Sequence, residues 1–152
     1  MLSVLIPTHD SAADLHRLLA VLVPAAVDGL VREVIAADAG STDPTLEICE
    51  DAGVTVVAGG LVAASATAKS DWLLLLPVDI RLPGGWAERL GAHLAQVRRP
   101  ARILGVREPG LFKLLQPNAV GLLASRDVVA GRVETRDVGA LARSLGPGAA
   151  KL

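Results

Sequence analysis

Four consecutive leucines, Leu73 to Leu76, constrain the fold of this chain more than any other stretch. The run is far too short to span a bilayer. Asp71 precedes it closely and Pro77 follows it, which suits a β-strand buried on both faces, because successive strand side chains point to opposite sides. Such a strand needs helices above and below it, the arrangement of a parallel sheet in an α/β domain. Pro77 has no N–H to give a ladder, so it ends the strand. Asp79 then falls just past the strand's carboxyl end, where ligands gather in open α/β sheets. A carboxylate there suits one of two tasks. It holds a hard cation such as Mg²⁺ or Mn²⁺ against phosphates, or it caps the turn into a helix that starts near Gly85.

The rest of the chain repeats the alternation. Leu2–Ile6 reads as a first buried strand and Pro7–Asp10 as the turn beyond it. Ser11 is placed as a helix N-cap, with Asp14 three residues on in a capping-box-like arrangement. Leu15, Leu18, Leu19 and Leu22 form the apolar stripe of that helix, which Pro24 is expected to end or kink. Strands follow at Glu33–Ala37 and Val54–Ala58, separated by a helix opened by Asp43-Pro44 and closed at Gly53. Gly59-Gly60, a short alanine-rich helix over Val62–Ala68, the leucine strand and a helix over Gly85–Val97 complete a βαβαβαβα order. That order predicts a mainly parallel sheet with helices on both faces. Beyond it, Arg102–Val106 and Ala119–Ala124 read as strands, and Asp127–Ala130 and Asp137–Leu145 as helices. The expected organisation is one domain over 1–145 and a loose, Gly- and Ala-rich tail over 146–152.

At 152 residues the chain can bury a core without staples. Its single cysteine, Cys49, excludes an internal disulfide and a cysteine-based zinc site, and is expected as a small buried apolar side chain. With 2% aromatic residues there is little on which bases of a nucleic acid could stack, so nucleic acid is not an expected partner. No signal peptide or membrane span is read from the sequence, which points to the cytoplasm. Charge is unevenly spread: residues 1–80 carry 3 basic and 11 acidic side chains, residues 81–152 carry 12 and 5. The basic half suits a phosphate-bearing substrate or peripheral contact with an anionic membrane surface; a solvated arginine-rich surface accounts for most of it more simply. The two halves could also attract each other within one chain or across a homodimer.

Parallel strands bring their carboxyl-end loops to one edge of the sheet. Thr8, Asp10, Asp38, Ser41 and Asp79 are therefore expected around one crevice. A dinucleotide-binding reading is weakened by the first strand–helix turn, Pro-Thr-His-Asp-Ser-Ala, which has no glycine to admit a pyrophosphate. Arg81, two residues after Asp79, is placed either to reach a phosphate or on the open surface. His9 reads as a loop side chain, and His16 and His93 as surface or boundary residues. Trp72 and Trp86 read as packing residues.

Three blocks, in order, resemble family 2 glycosyltransferases. Ser3–Asp10 (SVLIPTHD) is similar to the family's S-V-I-I-P-x-Y-N, Glu33–Asp43 (EVIAADAGSTD) to E-I-I-V-V-D-D-G-S-T-D, and Asp71–Trp86 to G-E-W-V-L-F-L-D-A-D-x-x-L-P-x-G-W. The resemblance covers roughly residues 2–95 and implies a GT-A nucleotide-diphospho-sugar-binding domain. It implies that Pro7, Thr8, Asp10, Asp38 and Ser41 hold the nucleotide, with Arg81 near a phosphate. It implies that Asp79, the last acid of the D-x-D motif, holds a divalent cation, Mn²⁺ or Mg²⁺, on the diphosphate. The cation would offset charge growing on the leaving group.

The chain departs from the family pattern at named positions. Ala39 stands where the second acid of D-D-G-S commonly contacts a uracil-type base. Pro77 stands for the first acid of D-x-D, and Ala63–Ser70 has no counterpart of the family's Arg-Asn element. Further on, Arg136-Asp137-Val138-Gly139-Ala140-Leu141-Ala142-Arg143 is similar to E-D-x-x-L-x-x-R. On that likeness Asp137 is the catalytic base that takes the proton of an acceptor hydroxyl; otherwise it is a helix N-terminal acid favoured by the macrodipole. The expected function is transfer of a sugar from a nucleotide-diphospho-sugar to an unidentified acceptor. The rival expectation is a catalytically inactive scaffold of the same fold that binds a partner.

Overall fold

The computed structural model describes residues 1–106, 119–131, 138–144 and 150–152. The strands are β1 (Leu2–Thr8), β2 (Val31–Asp38), β3 (Thr55–Ala58), β4 (Trp72–Leu75), β5 (Ala101–Gly105), β6 (Ala119–Ser125) and β7 (Ala150–Lys151). The helices are α1 (Ala12–Val27), α2 (Thr45–Asp51), α3 (Gly60–Thr67), α4 (Trp86–Gln96), α5 (Arg126–Ala130) and α6 (Val138–Ser144).

The strands form one sheet in the order β3-β2-β1-β4-β6-β5-β7. β1 pairs in parallel with both β2 and β4, and β2 with β3. β6 runs antiparallel between β4 and β5, while β7 pairs in parallel with β5. The sheet is thus mainly parallel, as the alternation predicts, with one reversed strand. Because β1 to β4 share a direction, the loops after them open at one edge.

The four leucines behave as their pattern requires. All are fully buried, and they divide by alternation. Leu74 and Leu76 pack with Leu15, Leu18 and Leu22 of α1 and Trp86 and Leu90 of α4. Leu73 and Leu75 pack with Leu61 of α3, Val129 of α5 and Leu141 of α6 on the other face. Each such burial contributes roughly 1.5–3 kcal/mol.

Several local expectations are corrected. α1 runs through Pro24 to Val27. The proline sits on the exposed side, where water can serve the carbonyl that it leaves without an N–H, and buried Ala25 holds the last turn on the core. Ser11 makes no side-chain cap to α1; its hydroxyl donates to the carbonyl of His9 instead. Asp14 pairs with Arg17 rather than closing a capping box. His93 is only 8% exposed, its ring nitrogen held against the Arg99 carbonyl at 2.8 Å. In the expected loose tail, Ala150–Lys151 joins the sheet, with Leu152 N donating to Arg102 O at 2.8 Å. Backbone pairing with the open side of β5 orders a stretch that its composition leaves undetermined.

Candidate functional site

The ends of β1 and β2 meet in register, with Thr8 opposite Asp38. Both are buried although polar, so their groups need partners. Asp38 is satisfied entirely by its neighbours. Its Oδ1 accepts the hydroxyls of Thr8 (2.8 Å) and Ser41 (2.6 Å). Its Oδ2 accepts the N–H groups of Gly40 (2.9 Å) and Ser41 (2.8 Å). A carboxylate has about four lone-pair sites, and here four donors fill them. Burial pushes the Asp38 carboxyl up, but the donors from Ser41, Thr8 and Gly40 outweigh it and hold the pKa below the ordinary value.

A second set of bonds stitches the two loops together. Asp10 adopts a left-handed backbone, φ 46°, and its N–H donates to the Ser41 hydroxyl at 2.9 Å. Its carboxylate accepts the N–H of Thr42 at 2.7 Å and of Asp43 at 3.2 Å, and these backbone donors lower its pKa. In the other direction, Asp43 accepts the N–H of Ala12 at 3.1 Å and so caps α1 from the neighbouring loop. Asp43 also binds the hydroxyl and N–H of Thr45, and Thr45 in turn accepts the Ser11 N–H at 2.8 Å. Asp10 and Ser41 are therefore frame residues that fix the loops.

The frame encloses a cavity of about 520 Å³, the size range of small-molecule sites. Pro7, Thr8, Ala37 and Asp38 form its wall at the ends of β1 and β2; His9, Ser11 and Ala39 stand on the loops; Gly59, Gly60 and Leu61 close the side towards β3 and α3. Gly59 and Gly60 take φ values of 115° and 80°, which glycine alone adopts freely. Sequence reasoning marked the pair only as a break between elements. A double glycine just past a strand's carboxyl end was the available signal. It also missed His9, Ser11 and Ala37 as lining residues.

Of the expected site residues, Pro7, Thr8 and Asp38 line this cavity, while Asp10 and Ser41 brace it from the adjoining loops. Asp79 lies in a turn after β4, the other neighbour of β1, closed by Ile80 N donating to Pro77 O at 3.1 Å. Arg81 is fixed through its backbone, which pairs with Val106. Asp137 lies outside the described residues. Among the described residues no three His, Cys, Asp or Glu side chains converge as a metal site. Mg²⁺ and Mn²⁺ often bind through one or two carboxylates plus waters and substrate phosphates, and the carboxylate of Asp79 is of the chemistry that such a cation takes. No helix of the described residues is long and apolar enough to cross a membrane.

The sequence profile described as Glycosyl transferase family 2 matches residues 3–103. Nothing among curated proteins matches the chain. Among solved structures, glucosyl-3-phosphoglycerate synthase from Mycobacterium tuberculosis, in complex with Mn²⁺, uridine-diphosphate and glucosyl-3-phosphoglycerate, is similar with TM-score 0.65 at 22% identity, over 85% of this chain and 58% of that one. The same enzyme with Mn²⁺, uridine-diphosphate-glucose and phosphoglyceric acid gives TM-score 0.66 at 21% identity, again over 85% and 58%. The chain thus spans under three-fifths of the length of these structures, and the likeness is one of fold, the mixed seven-stranded sheet of GT-A glycosyltransferases.

Proposed function

Since this chain belongs to glycosyl transferase family 2, we propose that it takes a nucleotide-diphospho-sugar at the cavity beside β1, β2 and β3 and transfers the sugar to an acceptor hydroxyl. The observation that carries this reading is the cavity of about 520 Å³ at the strands' carboxyl ends, with Asp79 on the turn after the adjoining strand. Pro7, Thr8, Asp38, Gly59 and Gly60 shape the nucleotide's seat, and Asp10 and Ser41 keep it preformed. Arg81 serves a phosphate. Asp79 holds the divalent cation, which when bound offsets charge on the diphosphate.

In the transfer, the acceptor oxygen forms a bond to the sugar's anomeric carbon. The bond from that carbon to the diphosphate oxygen breaks, and the diphosphate leaves with the electron pair. The acceptor's proton passes to a carboxylate, the role assigned to Asp137. The similar synthase structures hold Mn²⁺ with uridine-diphosphate or its glucose conjugate, which supports a donor of this class.

Two residues favour a second reading, a binding module without catalysis. Pro77 stands where the metal motif has its first acid, and Ala39 where the nucleotide loop has its second. Asp79→Asn separates the two. For a transferase, the variant folds as the parent does but loses Mn²⁺-dependent binding of nucleotide. For a scaffold protein there is no such binding to lose.

A further inference from the structure

We propose that the outer face of α1 is the contact surface of a homodimer, with a two-fold axis running along that helix. The inference does not depend on the transferase reading, because the residues that carry it lie at the edge of the sheet away from the cavity.

α1 has two apolar stripes. Leu15, Leu18, Leu19 and Leu22 are buried against the sheet. On the opposite side Ala20, Val23, Pro24 and Val27 repeat the i, i+3, i+4, i+7 spacing. These four are exposed, Val23 at 57% and Val27 at 81%. Between Arg17 and Asp28 the helix has no polar side chain at all. A helix apolar all round belongs in an interior, and an exposed apolar patch of this kind marks an interaction surface. Beside the stripe lies a groove of about 230 Å³ between α1 and the residues after α2, with Leu22, Val23, Val34 and Val54 on its walls. It gives a partner's apolar side chains a place to enter.

The charges on either side select a second copy as the occupant. α2, α1 and α4 lie on one face of the sheet. α2 packs against α1 on one side. On the other, a Cβ on Gly91 of α4 would lie 4.0 Å from Leu30, just past α1. The three helices lead into β3, β2 and β5, which share one direction, so their carboxyl ends lie at one edge. α2 exposes Glu47, Glu50 and Asp51 and no base. α4 and the residues after it expose Arg89, Arg98 and Arg99 against one acid, Glu88. An axis in the interface plane and along α1 sets α2 of each copy over α4 of the other, with acid on base at both flanks and the apolar stripes in the centre. An axis across α1 would set acid on acid. The acidic flank also repels an anionic bilayer.

The test is sedimentation equilibrium of the intact chain from about 1 to 100 µM, the span in which a modest protein interface populates its dimer. The parent is expected to reach twice the 15.6 kDa of one chain. Val27→Glu and Val23→Lys, both at exposed positions and checked for folding by circular dichroism, bury a charge in the contact and are expected to weaken dimerisation more than about tenfold. Reversing one flank, by Glu50→Lys with Asp51→Lys or by Arg98→Glu with Arg99→Glu, is expected to weaken it about fivefold, because each change acts twice by symmetry. All four reversals together are expected to restore it. A parent that stays monomeric at 100 µM overturns the inference, and a monomer that sediments with phosphatidylglycerol vesicles shows that lipid covers the face instead. A dimer that folded Val27→Glu and Val23→Lys leave unchanged places the contact elsewhere. Failure of the fourfold variant to regain affinity rejects the axis along α1.

Discussion

Asp38 shows how a residue can be a site residue by sequence and a frame residue by geometry. Its place at the end of the second strand was legible, because an acid after a buried run, followed by Ala-Gly-Ser-Thr-Asp, marks a strand-to-loop boundary. That both of its oxygens face inward onto Thr8, Gly40 and Ser41 was not, since it depends on the register that sets Thr8 beside it. The same holds for Asp43. It was expected as the N-cap of its own helix, where the N-cap is Pro44; it binds Thr45 and caps α1, a contact across the loops that no local pattern encodes.

The bonds at Asp38 make a prediction about acid. Its pKa is lowered from 3.8 on folding, so its contribution is complete above that value and is lost as pH falls through the lower folded value. Asp38→Asn puts an amide NH₂ against donors and is expected to cost about 1–3 kcal/mol at neutral pH. In urea unfolding, the gap between parent and variant should hold at neutral pH and shrink below pH 3.8. A gap that stays constant into strong acid would contradict the assignment.

At the scale of elements, the reading succeeds where a segment's own residues decide its state. The leucine strand, the stripe of α1 and the glycine at position 53, with φ 68°, are of this kind. It fails where pairing partners decide. Nothing in Ala119–Ser125 marks β6 as the reversed strand, because an apolar run looks the same in either direction. Ala150–Lys151 is too short to signal a strand before β5 is there to receive it.

One element contact bears on the site. A Cβ on Gly105 of β5 would meet the side chain of Ile80 and come within 2.7 Å of the Arg81 carbonyl. Both residues directly follow Asp79. Gly105→Ala is therefore expected to push the Asp79 turn aside. Overpacking of this sort costs typically 1–3 kcal/mol, read as a lower melting temperature, and Mn²⁺-dependent nucleotide affinity should fall with it. Unchanged melting would show that the contact relaxes freely.

Among the described residues helices lie on both faces of one sheet, and the proposed chemistry gathers at the edge where four parallel strands end. The three sequence blocks that resemble family 2 glycosyltransferases supply that edge: the end of β1, the end of β2 and the turn after β4. Family and fold follow from the matched profile and the similar structures. The proposed activity rests on the cavity and on Asp79, and it is decided by binding. The most direct measurement is a calorimetric titration of the intact chain with a panel of nucleotide-diphospho-sugars, with and without Mn²⁺. The account predicts saturable binding of at least one donor that weakens at least tenfold when Mn²⁺ is withheld, the loss expected when a cation clamps the phosphates. A folded chain that binds none of them, with or without the metal, would contradict it.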